Sequence, residues 1–600
     1  MYYNPLDKFY KSQTGAICAN SEIIYRVKGN FNSVILRCKK DGFDYISYEM
    51  KKSEGYFEIS LSFDSGLYFY HFDCANGQLL VNSSNYFGVL STEINDFQLT
   101  VYSEDFEVPA WLEGGIIYQI FPDRFCRGEK EKTVPEYKVL HDNWNEMPVF
   151  LPNEQGEIVN NDFFGGDIKG IIEKLDYIKD LGVNAIYLNP IFKAFSNHRY
   201  DTGNYMQIDE LLGTNDDFVE LIKTAEKKKL KIILDGVFNH TGVDSLYFNL
   251  YNRYDSVGAY QSKNSEYYSW YNFKDYPNDY DSWWGIKTLP AVNENNADYI
   301  DFITGENGVI EYYTKLGVGG WRLDVVDELP SEFVKNIRRA VKRNNPNAVI
   351  IGEVWEDASN KISYGKRREY FQGKELDSTM NYPLKNAILD FVLSGNDKGL
   401  IHVIKEQIDH YPHKVLHSLM NVLSTHDTAR LLTVVGGEKP DAKDKITLAK
   451  TIISNDKMQQ AIFNLKVATL LQFTLCGVPT IYYGDEIGMQ GYFDPLNRCT
   501  FPWGKELDNE ITIWYKKLSN IRNSYSAFKN GDFEQVFAQK GVIIYKRKGE
   551  DSEVLISVNA SNENIVFDFE GELYDLLSDK KYINHYELRA KTLAVFVNNK

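Results

Sequence analysis

Residues 320–328 read Gly-Trp-Arg-Leu-Asp-Val-Val-Asp-Glu, or GWRLDVVDE. The middle is a short apolar run of strand type, yet it carries an arginine and an aspartate. Side chains alternate faces along a strand, so Arg322 and Asp324 project to the same side. A permanent cation beside a partly buried carboxylate keeps that carboxylate ionised and lowers its pKa. A structural ion pair would look the same from this stretch alone. The surroundings have to choose.

Outward from this run, short apolar strands alternate with amphipathic helices, the pattern that builds parallel sheets. The strand candidates are residues 116–125, 183–192, 231–240, 319–325, 347–355, a weaker 378–383, 417–427 and 478–487, with helices such as IKGIIEKLDYIKDLG between them. Eight such units predict an α/β fold, a TIM (β/α)8 barrel over residues 109–520. A doubly wound open sheet competes, but no glycine-rich phosphate loop follows the first strand. Residues 241–305 break the rhythm with aromatic runs such as YYSWYNF, which predicts a sub-domain inserted after the third strand. Alternating strand patterns before residue 109 and after residue 520 predict an N-terminal Ig-like β-sandwich (1–108) and a C-terminal one (521–600).

Composition narrows the partners. A net charge of -18 argues against nucleic acid and anionic membranes, which need a basic face. The stretch Val467–Tyr483 is interrupted by Gln472, Gly477 and Pro479 and reads as a buried helix leading into a buried strand, not a membrane span. The N-terminus shows no signal-peptide pattern, and six dispersed cysteines without metal spacing read as reduced thiols, so a cytoplasmic location is expected. Aromatic residues reach 14%, which suits both a large core and the stacking of sugar rings.

In a TIM barrel the chemistry collects at the C-terminal ends of the strands. Those ends carry Asp235 and His240, Arg322 and Asp324, Glu353, and His426 with Asp427. Three carboxylates without a Cys or His cluster for a transition metal point to glycoside hydrolysis. That reaction needs one ionised carboxylate as nucleophile and one protonated carboxyl as acid. Asp324 suits the nucleophile. Glu353, after the apolar AVIIG and before Trp355, suits the acid, with a pKa expected to rise by desolvation. Asp427 suits stabilisation of the oxocarbenium-like charge, and His240 and His426 suit hydrogen bonding to ring hydroxyls.

Four of these segments, DGVFNH (235–240), GWRLDVVDE (320–328), GEVWE (352–356) and STHDT (424–428), resemble the signature regions of glycoside hydrolase family 13, the α-amylase family. SNHRYDTGNY (196–205), LPAVN (289–293) and YYGDEIGM (482–489) resemble its secondary motifs. An N-terminal sandwich, YQIFPDRF and FFGGDIKGI narrow the resemblance to the neopullulanase, cyclomaltodextrinase and maltogenic amylase group. The resemblance implies Asp324 as nucleophile, Glu353 as acid/base and Asp427 as transition-state stabiliser. His198, Tyr200, Asp235, His240, Arg322, Trp355 and His426 become the substrate-binding set, with Tyr200 stacking on the central sugar unless it is simply core. It also implies α-glucan oligosaccharides, cyclodextrins or pullulan as substrates, with transglycosylation as a side reaction. An α-1,6-acting hydrolase or a glucanotransferase on the same scaffold is the alternative, and a non-catalytic glucan-binding protein a more distant one. The N-terminal domain is expected to bind glucan or to pair two copies into a homodimer.

Two departures from the group carry expectations. VVDE (325–328) replaces a VANE-like string, so Asp327 is expected to add an anion near the leaving-group side of the cleft. The segment CRGEKEK (126–132) puts lysines where a calcium loop has oxygen ligands. No cofactor is required for the chemistry, and strong calcium binding beside Asp167 is not expected.

Overall fold

The computed structural model describes every residue except 1, 75–76, 129–130, 441–442, 505–508 and 599–600. Its centre is a parallel sheet of eight strands: β1 (Ile117–Ile120), β2 (Ala185–Leu188), β3 (Lys231–Gly236), β4 (Gly320–Leu323), β5 (Val349–Gly352), β6 (Ser378–Thr379), β7 (Met420–Val422) and β8 (Val478–Tyr482). Hydrogen bonding runs β6-β5-β4-β3-β2-β1-β8-β7. A parallel bridge from Met380 to Met420 joins the two ends into a barrel.

Helices cover the outside of these strands, so both faces are buried, which is why they read as continuous apolar runs. Ile117, Tyr187, Ile233, Val349, Ile351, Met420 and Val478 fill the barrel interior. The strands are shorter than the apolar runs. Residues 121–125 leave β1 to form a short helix at Pro122–Phe125, and β4 ends at Leu323, one residue before Asp324.

Between β3 and β4 lie a small hairpin (Phe273–Asp275 with Asp279–Tyr280) and a helix, Ala297–Thr304. Its aromatic run is largely core: Tyr247, Trp270, Tyr271 and Tyr280 are buried in one cluster with the barrel. The apolar stretch near residue 470 forms a helix, Asn455–Thr474, leading into β8.

The N-terminal domain packs a seven-stranded sheet on a three-stranded one. In the strand Ile23–Lys28, Ile23, Tyr25 and Val27 point inward in strict alternation, as a half-buried strand requires. This domain docks on the helix Asp397–His410, where Lys11 Nζ meets Asp409 Oδ1 at 2.5 Å with both side chains fully buried. After the barrel, all six C-terminal strands join in one antiparallel sheet rather than two. One face, with Ile543, Tyr545, Ile556 and Val595, belongs to the barrel's core cluster; the other closes over Val542, Ile544, Leu588 and Phe596.

Candidate active site

Strand register assembles the pocket. Asp235 on β3 is the direct partner of Arg322 on β4, and Arg322 the partner of Ile351 on β5. Ile351 faces the barrel interior, so Glu353, two residues on, faces the same way above it. Asp324 follows Arg322 by the same period of two. The result is one guanidinium ringed by three carboxylates. Arg322 Nη1 donates to Asp235 Oδ1 and to Asp324 Oδ1, each at 2.8 Å, and Nη2 lies 2.7 Å from Glu353 Oε2.

The turn after β4 tightens this arrangement. Val325 has φ 37° and ψ 48°, a left-handed conformation that is an outlier for a β-branched residue. Backbone strain of this kind survives only where the surroundings fix it, and it clusters at functional sites. Here it aims the Val325 N–H at Glu353 Oε2, at 2.9 Å.

Two expectations from sequence need correction. From sequence, Arg322 beside Asp324 is expected to depress the Asp324 pKa. Instead burial raises the Asp324 carboxyl well above the usual range; Arg322 opposes this, and Glu353 and Asp235 add to it. A single cation divided among three carboxylates cannot offset the desolvation of Asp324. Asp327 does not turn its anion to the cleft: Oδ1 accepts the Tyr370 hydroxyl at 2.7 Å and Oδ2 pairs with Lys361 at 3.2 Å.

The rest of the predicted set surrounds this core. The Tyr200 hydroxyl bonds Asp235 Oδ2 at 2.8 Å and His426 Nε2 at 2.5 Å, and its ring is parallel to that of His426 within 6°. Tyr200 is therefore a wall of the pocket, tied down by its hydroxyl, and not an apolar core residue. His198 Nδ1 receives the Tyr200 N–H at 3.1 Å, and His240 Nε2 bonds the Tyr200 carbonyl at 3.1 Å. Burial lowers all three histidines, His240 to about 4, so the imidazoles are neutral in the folded protein near pH 7. Asp427 sits on the open side, with Oδ2 at 3.1 Å from His426 Nε2. Trp355, expected on the strand face, lies beyond the end of β5; it stacks on Tyr382 at 3.9 Å and donates its indole N–H to Glu353 Oε1 at 3.2 Å.

With this geometry in view, the family comparison is direct. The family model described as alpha amylase, catalytic domain, matches residues 119–562. The chain belongs to the α-amylase family. An amylopullulanase of Thermoanaerobacter thermohydrosulfuricus is 36% identical over 91% of this chain, which covers 41% of that protein. A cyclomaltodextrinase of Thermoanaerobacter pseudethanolicus is 33% identical over 77% of this chain and 73% of its own length. The solved type III pullulan hydrolase of Thermococcus kodakarensis aligns over 100% of both chains with a TM-score of 0.71 at 27% identity. The chain spans 35% to 45% of the length of the amylopullulanases it matches.

This α-amylase-family pocket also uses residues that sequence reasoning passed over. Tyr187 on β2 donates to Asp235 Oδ2 at 2.6 Å, and Gln119 on β1 bonds His426 Nδ1 at 3.0 Å. Both face inward in runs already recognised as strands, so period-two reading could have found them. Arg498 places Nη2 at 3.5 Å from Asp427 Oδ1 and donates from Nε to the His426 carbonyl. It ends a 3-10 turn, Leu496–Arg498, after β8, and nothing in PLNRCT announced it.

Some members of the α-amylase family hold calcium in the loop after the first strand, but the residues here do not fit that ion. The Lys132 ammonium sits on Asp167 Oδ2 at 2.6 Å and on the Leu211 carbonyl at 3.0 Å, the place a cation would take. Residues 129–130 of that loop lie outside the described set. Elsewhere, Asp357, Glu406 and His410 bring ligating atoms within 4.8 Å of one another. Among the described residues, no helix is long and apolar enough to cross a membrane.

Proposed function

We propose that this chain is a retaining α-glucan hydrolase that cleaves α-1,4-glucosidic bonds of maltooligosaccharides, cyclodextrins or pullulan, with transglycosylation as a competing outcome. The observation that carries the reading is the single guanidinium whose two nitrogens touch Asp324 and Glu353. Its short span favours the carboxyl spacing of about 5–5.5 Å found in retaining enzymes over the about 6.5–9.5 Å of inverting ones.

In this reading Asp324 attacks the anomeric carbon while Glu353 gives its proton to the departing glucosidic oxygen. The pocket already favours a proton on this cluster, because burial raises Asp324; catalysis needs that proton on Glu353 and Asp324 anionic. Water, deprotonated by Glu353, then breaks the glucosyl ester and restores the α configuration. Asp427, held by Arg498, and the neutral His240 and His426 bind ring hydroxyls more tightly as positive charge develops. Tyr200 supplies the stacking face. No step calls for a metal, and the lysine on Asp167 supports independence from calcium at that position.

The amylopullulanase and pullulan-hydrolase relatives favour a second reading in which α-1,6 bonds are also cut. Panose, isopanose and maltotriose from pullulan are three distinct outcomes that separate the cases. The six unpaired cysteines support a reducing compartment. Pairing of two copies through the N-terminal domain is testable by sedimentation at micromolar concentration. Replacement Asp324→Asn is expected to abolish hydrolysis of maltotriose; wild-type turnover in that variant would refute the reading.

A further inference from the structure

Two of the most exposed aromatic side chains in the molecule converge on one carboxylate. Trp284, 78% exposed, comes from the segment between β3 and β4. Tyr364, 75% exposed, comes from a hairpin between β5 and β6, Ile362–Ser363 with Lys366–Arg367. Glu328, in the turn after β4, accepts the Trp284 indole N–H on Oε1 at 2.7 Å and that of Trp283 on Oε2 at 2.8 Å. Burial, and next the nearby Glu328 charge, raises the Tyr364 phenol above its ordinary pKa. The Trp284 and Tyr364 side chains are open to solvent, and the Trp284 indole N–H is already engaged.

Both residues are held in the left-handed region, Trp284 at φ 51° and Tyr364 at φ 50°. A two-residue hairpin turn with positive φ at both centres favours Asn-Gly. Here Tyr364 stands in the asparagine position before Gly365, whose φ is 72°. An exposed tyrosine in a conformation it disfavours gains nothing for folding, and such strain accompanies ligand clamps. The hairpin is also fastened from behind. The Ser363 hydroxyl donates to the Asp327 carbonyl at 2.6 Å, Lys361 pairs with the Asp327 carboxylate, and Arg367 bonds Asp41 of the N-terminal domain at 2.9 Å. Asp327, the departure in VVDE, is the peg for this hairpin.

The pair is continuous with the pocket. Trp283 stacks on His240 at 5.3 Å, Glu328 closes the turn that Asp324 opens, and the hairpin follows the loop carrying Trp355. We propose that Trp284, braced by Glu328, and Tyr364, held by its hairpin, form a two-ring platform that stacks a glucosyl unit on the leaving-group side of the cleft. The proposal deepens and rests on the α-glucanase reading above. Fixing both rings in advance removes the ordering cost of binding, so the gain appears only for substrates long enough to reach them.

The test compares kcat/KM for maltohexaose and maltotriose in wild type, Trp284→Ala, Tyr364→Asn and Tyr364→Phe. Asparagine suits the turn, so Tyr364→Asn removes the ring without disturbing the hairpin. The maltohexaose-to-maltotriose ratio is expected to fall about tenfold in Trp284→Ala and Tyr364→Asn, the scale of one aromatic contact, and to recover in Tyr364→Phe. An unchanged ratio in both ring-deleting variants overturns the platform. So does a wild-type dimer that these variants convert to monomers at unchanged ratio, which would make the face an interface between copies. Hydrolysis of neither sugar by wild type would sink the α-glucanase reading instead. In that event the loss or retention of maltohexaose affinity in calorimetric titration of Tyr364→Asn decides the platform by itself.

Discussion

Val325 donates its backbone N–H to Glu353 Oε2 at 2.9 Å from a left-handed conformation at φ 37°. The residue that follows one carboxylate-bearing strand thus positions the carboxylate of the next. Together with Arg322, it makes the spacing of Asp324 and Glu353 a property of the barrel's backbone.

Arg322→Lys is expected to lower kcat/KM on maltotriose about 100-fold, the usual loss from a misplacement near 1 Å. An ammonium is one point charge and cannot fork between Asp324 and Glu353 as a guanidinium does. Steady-state kinetics check this, and activity within threefold of wild type would show that the fork does not set the spacing.

Glu353→Gln removes the proton donor and leaves the nucleophile. Hydrolysis of maltotriose should fall by about 10²–10⁴, the range for a general acid. α-Maltosyl fluoride, whose leaving group needs no proton, should form the glucosyl ester at a rate within about tenfold of wild type. Equal losses on both substrates in stopped-flow measurements would assign Glu353 another role.

The buried histidines each make a contribution to stability that acid removes in a defined window. Burial holds His240 at about 4, below its ordinary value of about 6.5. Between those limits the unfolded chain binds more protons, so stability is lost as pH falls from about 6.5 towards 4 and is fully present above 6.5. His198 and His426 are displaced in the same direction. Buried carboxyls pull the other way in this range, Glu294, Glu375 and Glu486 raised to about 7 and Asp201 and Asp485 to about 6. The histidine contribution is therefore read by difference: relative to wild type, the calorimetric melting temperature of His240→Asn should rise as pH falls across this window. An identical slope in the variant would contradict the assignment.

Lys11→Met tests the seam between the N-terminal domain and the barrel. It strands the fully buried Asp409 carboxylate with the Tyr86 hydroxyl at 3.3 Å as its remaining side-chain partner. Breaking one side of a buried pair costs about 3–5 kcal/mol. A denaturation midpoint close to wild type would mean that water reaches Asp409.

Much of this was legible in the sequence because strand periodicity is simple. Period two put Arg322 and Asp324 on one side and carried Glu353 to the same face as Ile351. What escaped depends on contacts between distant segments. Arg498 reaches Asp427 from a short 3-10 turn with no sequence pattern, and the strain at Val325 leaves no mark on composition. The pKa of Asp324 was misjudged for the same reason: one neighbour in sequence showed the cation, but not the two other carboxylates that share it. Asp327 looked like a substrate-facing anion until Lys361 and Tyr370 folded onto it.

The proposed double displacement sets Asp324 as nucleophile and Glu353 as acid across a single guanidinium. Proton NMR of the newly formed reducing end of the glycone product, recorded before mutarotation, tests its stereochemistry most directly. Retention gives the α anomer first; a β anomer at the earliest time points would rule out the double displacement.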